Sequence, residues 1–561
     1  MTSLSRRELL RLLALASAQT AIVSGCKLLP CLPRPPLCAD LGPWAKPSAP
    51  LAIDVHAHIF NASDLPIRGF ASRVLLNPKN RDDLAKVGEL LGPILLELAW
   101  NAPTTGEERV LLDLLAIEME QCPAAGALSP TVLRRRTNQF EVARSELRAA
   151  SQRVQARPQA LSVPARIAID QINQLTTYED LLQRLESAPG AVHTLEKSVL
   201  SALYFVIELF QYRIVSLFTY LDTVGTSGAH GIDLMLSALV DYDWWLDPGT
   251  SPVSSLDDQV DLGARISELM HGRVHLWAPF CPLREVLYQD HVSESSSLAL
   301  VKRAVTEQAA IGVKLYPPMG FKAYDNASIE PPPWPEAQWL PAVTRTPEFG
   351  RRLDDALARL YDWCQQEDVP ILAHTRVSNG ALPDLQALAD ERGWTAALAK
   401  WSNLRVVFGH FGGAEESALK DHAAGFVQLL SSAPHAGPDA SYFERVLANP
   451  VELSNTLLEL FKPAIDAEGL LASRFCFGSD WKMLAAQEGA SGYLRAEEGL
   501  VERIATGLDA DRASRLRSGF FANNAARALG LHKGDPARNR LQAFYDRWKI
   551  EPMWTRKLDG G

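Results

Sequence analysis

From about residue 231 the chain repeats one pattern: a short apolar run, a polar break, then a helical stretch. The runs are "IDLMLSALVDYD", "VHLWAPF", "IGVKLYPP", "VPILAHT", "LRVVFGHFGG", "VELSN" and "RFCFGSDW". Between most of them lie amphipathic stretches such as "SSLALVKRAVTEQAA", "FGRRLDDALARLYDWCQQE" and "DLQALADERGWTAALAKW". An earlier run, "LAIDVHAHIF" at residues 51–60, brings the strand candidates to eight. Eight strands, most followed by a helix, predict an α/β chain folded as a (β/α)8 TIM barrel. An open doubly wound sheet alternates in the same way, but no G-x-G-x-x-G follows an early run, so its usual cofactor signature is missing.

Residues 61–230 do not follow this alternation. They read as a large α-helical insertion after strand 1, with "RDDLAKVGELLGPILLELAW", "EERVLLDLLAIEMEQC" and "SPTVLRRRTNQFEVARSELRAASQRVQAR" as helices. The last opens on Ser129-Pro130, a good cap and first-turn pair. "LEKSVLSALYFVIELFQYRIVSLFTYL" is strongly apolar but broken by Glu208 and Arg213. It is expected as one buried amphipathic helix and not a membrane span. The expected organisation is therefore a barrel built from 51–60 and 231–535, the insertion at 61–230, and a C-terminal extension at 536–561.

The N-terminus carries a different signal. "MTSLSRRELLRLLALASAQTAIVSGC" runs from charged to apolar to small residues, the layout of a secretory signal. Arg6-Arg7 in "SRRELL" is similar to a twin-arginine signal, the export route for folded proteins. "VSGC" resembles the lipobox of bacterial lipoproteins, in which the cysteine, here Cys26, carries the lipid. Residues 1–26 are thus expected to be a signal peptide and 27–50 a Pro-rich tether. Lys27 follows the cysteine, which points to the periplasmic side of the envelope and an outer-membrane anchor. The remaining cysteines are few. Cys31 and Cys38 flank "CLPRPPLC" and are candidates for a disulfide in an oxidising compartment. Cys122, Cys281, Cys364 and Cys476 show no C-x-x-C spacing and read as small buried hydrophobes.

Composition narrows the partners. The 561 residues are 47% hydrophobic and 22% charged, ordinary for a folded protein. With 56 basic against 66 acidic residues the formal charge is −10, and no basic stripe with interleaved aromatics occurs, so nucleic acid is not an expected partner. A small-molecule substrate is expected, and membrane contact only through the N-terminal lipid. The oligomeric state is left open.

The candidate chemistry lies at the ends of the apolar runs. Alternate residues of a strand share a face, so His56 and His58 of "DVHAH" project together at the end where barrel enzymes keep their active sites. Two imidazoles on one face suit a divalent ion. "VPILAHT" ends on His374, "LRVVFGHFGG" on His410 and "RFCFGSDW" on Asp480, while "GVKLYPP" carries Lys314. A polar residue at the end of one apolar strand is readily a satisfied core group. The same feature on five strands at one barrel end points to a metal site.

On these residues the chain resembles the amidohydrolase superfamily, in its broad amidohydrolase-related branch of metal-dependent hydrolases. The resemblance covers strand 1 and roughly 232–531, including "FFANNAARALGL", and leaves out the insertion. It implies that His56, His58, His374 and Asp480 hold the catalytic metal, expected to be zinc or another divalent transition ion. It implies that His410 either binds a second metal or polarises a substrate carbonyl. The "VKLYP" context of Lys314 is similar to the dihydroorotase lysine that is carboxylated and bridges two metals; unmodified, Lys314 is a cation suited to a substrate carboxylate. One ion or two both remain open. In such a site Asp480 serves as ligand and base, and His410 helps stabilise the oxyanion of an amide, ester or lactone.

Loops offer less. Arg376 is a candidate substrate contact, and Lys482 a weaker one. "MGFKAYDNASIEPPPWPEAQW" is expected either to wall a pocket or to be pinned by Trp334 and Trp339 onto the barrel. His230 and His275 read as structural. The leading expectation is an exported, lipid-anchored metal-dependent hydrolase. The alternatives are a metal-dependent decarboxylase or lyase of the same superfamily, and an inactive barrel serving as a surface binding or scaffold lipoprotein.

Overall fold

The computed structural model describes residues 46–75, 101–120, 130–156, 163–186, 195–378 and 380–560. The signal peptide with Cys26, most of the tether with Cys31 and Cys38, the stretch 81–100 and Cys122 lie outside the described residues.

Seven parallel strands follow one another in chain order: β1 Leu51–Ala57, β2 Gly231–Ala238, β3 Val274–Pro279, β4 Gly312–Leu315, β5 Ile371–His374, β6 Val406–Gly409 and β7 Ala436–Pro438. The eighth place is taken by residues too irregular to form a strand. Cys476 bridges Asp439 in parallel, its N–H donates to Pro438 O (3.0 Å), and Val55 N donates to Phe477 O (3.2 Å). These bonds join β7 back to β1 and close the (β/α) barrel.

Two sequence expectations change here. "VELSN" is not strand 7 but part of the helix Pro450–Leu460, which Pro450 opens at its first turn. The true β7 is "AGP", only three residues long and carrying glycine and proline, so it shows no apolar run. Likewise "LEKSV…FTYL" is two helices, Leu195–Glu208 and Arg213–Thr223, broken at the two charges. Arg213 ties the break to the start of the insertion: its guanidinium binds Asp64 and Glu108, all three buried.

The interior is packed, not hollow. Ile53, Val55, Leu234, Leu236, Trp277 and Val407 form one buried cluster with Tyr545 and Trp554 of the C-terminal helices Pro536–Trp548 and Met553–Gly560. Each fully buried side chain of this kind contributes about 1.5–3 kcal/mol. The C-terminal helices thus seal the N-terminal end of the barrel. There His275 meets Ala309 O (2.9 Å) and the Tyr545 hydroxyl (2.6 Å), a structural role. Outside, helices show their apolar stripe to the strands: in Phe349–Gln366, Leu353, Ala356, Leu357, Leu360 and Cys364 are buried at helical spacing. Cys281, Cys364 and Cys476 are all buried free thiols.

The described insertion is helical throughout, with Thr105–Glu120, Pro130–Gln155, Val163–Gln174 and Tyr178–Glu186 preceding the broken pair. No helix among the described residues is long and apolar enough to cross a membrane.

Candidate metal centre

The C-terminal strand ends bring one buried polar cluster together. His56 lies in β1 and His58 just beyond it, Lys314 in β4, and His374 ends β5. His410 follows β6, Asp439 follows β7, and Asp480 follows the eighth position. His410 and Asp480 sit at φ of 64° and 51°, a conformation uncommon outside glycine. Gly409 is needed for the close approach: a Cβ there would lie 2.9 Å from both His56 Cε1 and Ala373 O.

Donor atoms of His56, His410 and Asp480 all fall within 4.8 Å of one another. His58 Nε2 is 3.3 Å and His56 Nε2 3.9 Å from Asp480 Oδ1. His374 Nδ1 is 3.1 Å from His410 Nε2. Lys314 Nζ lies 2.9 Å from His56 Nε2 and so shares the inner face of that ring. The tightest set therefore includes His410, while His58 and His374 flank it.

Each ring is held from behind. His56 Nδ1 faces Asp439 Oδ2 (3.1 Å), His58 Nδ1 faces Ala238 O (2.7 Å), and His410 Nδ1 faces Ser441 O (3.1 Å). These acceptors favour the Nδ1–H tautomer, which leaves Nε2 unprotonated and turned inward, that of His56 toward Lys314 Nζ and that of His410 toward His374 Nδ1, the tautomer of metal-binding histidines. With His410 Nε2 accepting from His374 Nδ1, the proton of His374 is also placed on Nδ1. Its Nε2 is buried and has no hydrogen-bond partner among the described residues.

Burial dominates the electrostatics. It drives His56, His374 and His410 well below the ordinary histidine pKa, and His58 to about 3, with Lys314 and the neighbouring rings adding to the effect. The imidazoles are consequently neutral and able to ligate. Burial lowers Lys314 against the pull of Asp480 and Asp439, and raises the Asp480 carboxyl against the pull of Lys314.

The donor set fits a divalent ion. Neutral imidazole nitrogens and one carboxylate converge from separate strands, and the unsatisfied His374 Nε2 is the kind of buried lone pair that an ion would satisfy. Beside Lys314 a narrow cavity runs between Tyr316, Val240, Asp241, Trp245 and Phe321, the space that adjoins the cluster.

Other expected residues fall elsewhere. Arg376 is paired with Glu415 (3.1 Å) and Glu416, so its charge is matched within the chain. Lys482 is buried and turned away into the insertion, donating to Glu208 O (2.7 Å). Trp334 and Trp339 pin their loop, donating to Gly320 O (2.6 Å) and Trp245 O (3.0 Å). His230 pairs with Glu498 (2.7 Å) at the start of β2.

Four residues behind the candidate ligands were not anticipated. Asp439 and Ser441 orient His56 and His410. Asp54 accepts from His56 N (3.1 Å) and Ser479 N (3.0 Å), and Ser479 Oγ also donates to it. Asp54, two residues before His56, was visible in "DVHAH"; Asp439 and Ser441 lie in the turn-rich "HAGPDASY", where no strand signal marks them.

No protein-family model matches the chain, and no curated protein matches it. Solved structures that overlay on it include an amidohydrolase from Burkholderia multivorans with bound HEPES, at 17% identity, covering 53% of this chain and 83% of that one, TM-score 0.31. The same enzyme with bound zinc overlays with the same identity and coverage, TM-score 0.29. A 5-carboxyvanillate decarboxylase from Novosphingobium aromaticivorans, with bound manganese and 3-methoxy-4-hydroxy-5-nitrobenzoic acid, overlays at 12% identity over 59% of this chain and 84% of that one, TM-score 0.32. An amidohydrolase and a decarboxylase are thus among the solved structures to which this chain is similar.

Proposed function

We propose that the chain is a metal-dependent hydrolase of amidohydrolase type, acting on an amide, ester or lactone of a small molecule. One observation carries this reading: His56, His410 and Asp480 converge, buried, at the C-terminal end of the barrel, with His58, His374 and Lys314 against them. His56, His58, His374, His410 and Asp480 would hold the ion, zinc being the first candidate from the nitrogen-rich donor set. The chemistry supplied by a divalent ion held there is activation of water and polarisation of a carbonyl oxygen.

The chain's own residues do the rest. The Asp480 carboxylate, its pKa raised by burial, takes a proton from the attacking water and returns it to the leaving group. Asp439 and Ser441 keep His56 and His410 in the tautomers that face inward. Lys314, 2.9 Å from His56, is placed either for carboxylation, which its lowered pKa favours, or as an ammonium for a substrate carboxylate. The ammonium form supports a second reading, decarboxylation. Export and lipid attachment at Cys26, with the expected boundaries, belong to the proposal on the sequence alone.

The test is turnover of a panel of amides, esters, lactones and aryl carboxylates by protein loaded with zinc or manganese. His56→Ala and Asp480→Asn are expected to abolish turnover with thermal melts still cooperative. Full activity in either variant on a substrate that the wild type cleaves would remove the assigned site. Release of CO2 in place of an alcohol or amine would decide for the second reading.

A further inference from the structure

The helical insertion touches the metal centre from behind. On the helix Arg213–Thr223, the Tyr220 hydroxyl donates to Asp54 Oδ2 (2.6 Å). Asp54 in turn holds His56 N and Ser479 N, so one carboxylate joins the segment bearing His56 to the segment bearing Asp480. The same helix takes the next two residues after Asp480. Trp481 Nε1 donates to Ser216 O (3.2 Å), and its ring stands edge-on to Tyr220 with centroids 5.4 Å apart. Lys482 Nζ donates to Glu208 O (2.7 Å) and Ser216 Oγ (3.3 Å) and lies 3.5 Å from Glu208 Oε2. Glu208 is fixed by the Tyr178 hydroxyl at 2.6 Å.

All of these groups are buried, and two of them adopt backbone angles that need support: Asp480 at φ 51° and Lys482 at φ 92°. A loop with two such residues within three positions is held only if its surroundings over-determine it. Here the surroundings are barrel backbone, with Asp480 N donating to His56 O (2.6 Å) and His58 N to Trp481 O (3.1 Å), together with insertion residues whose bonds end on both ligand segments.

We propose that the insertion is the support of the metal centre, with Tyr220 and the Lys482–Glu208 pair as positioning residues that set ion affinity. The proposal rests on the metal reading of the site. Tyr220 acts through Asp54 on the spacing between His56 and Asp480; Lys482 and Glu208 act on the turn that presents Asp480. The insertion is thereby part of the active-site architecture rather than a separable partner-binding module.

The test is zinc affinity of the metal-free full barrel with its insertion, by competition with a chromogenic chelator, and the visible spectrum of the cobalt-loaded protein. Tyr220→Phe removes one hydroxyl without changing shape; it is expected to weaken zinc about ten- to hundredfold and to shift the cobalt bands. Tyr545→Phe, which loses an equally buried hydroxyl at the opposite end of the barrel, is expected to bind as the wild type does. The pair Glu208→Gln with Lys482→Met removes both charges together, and gives a second route if Tyr220→Phe does not fold. A folded variant of either kind with wild-type affinity and an unchanged cobalt spectrum overturns the proposal. So does an equal loss in Tyr545→Phe. A wild type that binds no ion overturns the metal reading first, and this proposal with it.

Discussion

Asp439→Asn changes one atom of the centre and has a calculable consequence. Asp439 Oδ1 accepts from His410 N (2.8 Å) and Ser441 N (3.0 Å), while Oδ2 accepts from His56 Nδ1 (3.1 Å). An asparagine can keep its carbonyl oxygen only on one side. Two backbone donors hold it at the Oδ1 position, which turns the NH2 group toward His56. Two N–H groups cannot face each other, so the His56 Nδ1–H loses its carboxylate partner, keeps only Ser441 Oγ (2.9 Å), and its proton is drawn toward Nε2, the nitrogen that lies inward, 2.9 Å from Lys314 Nζ. A protonated Nε2 does not ligate. Loss of such an outer partner costs about ten- to hundredfold in metal affinity, or about 1.4–2.8 kcal/mol. The hydrogen bond to a charged acceptor, about 1.5–3 kcal/mol, gives the same scale. The assay is zinc competition on metal-free protein, with thermal melting to show that the fold persists. Zinc affinity within about twofold of wild type would refute the tautomer reasoning.

Two further outcomes follow from the packing and the charges. Gly409→Ala places a methyl 2.9 Å from His56 Cε1 and from Ala373 O, so a loss of about 1–3 kcal/mol is expected in denaturant melts, together with weaker metal binding; an unchanged midpoint would show that β5 and β6 are less tightly set than described. Glu415 has its pKa raised from 4.5 to about 7, by burial first, with Arg376 opposing. Because the folded value lies above the unfolded one, its contribution to stability is present below about pH 4.5 and is lost as the pH rises through 7. Glu415→Gln is therefore expected to remove about 3 kcal/mol of the decline in stability over that window, measured by melts at fixed ionic strength; parallel pH profiles would contradict the assignment.

The sequence made the barrel legible where strands are apolar and end on a polar residue. His56, His58, Lys314, His374, His410 and Asp480 all stand in or just after apolar runs, where a buried polar group breaks the pattern visibly. It concealed β7, since "AGP" has three residues and no hydrophobic alternation, and the apolar "VELSN" downstream took its place. With β7 misplaced, Asp439 had no strand to end and Ser441 no neighbour to orient. Charge matching was equally hidden. Arg376 reads as a free cation until the fold brings Glu415 and Glu416 beside it, some 40 residues away in the chain. Lys482 reads as a surface charge, yet Glu208, its partner, is 274 positions distant and lies within the insertion. Spacing along a strand is local and can be read directly; the pairing of buried charges depends on tertiary contacts.

The most direct measurement is metal content by elemental mass spectrometry on protein beginning at residue 27, beside its Asp480→Asn and Lys314→Ala variants. The account predicts at least one divalent ion per wild-type chain and none retained by Asp480→Asn. Two ions falling to one in Lys314→Ala would assign a bridging lysine; one ion in both would assign a single-metal centre. A wild-type chain that holds no ion after loading and desalting would contradict the account.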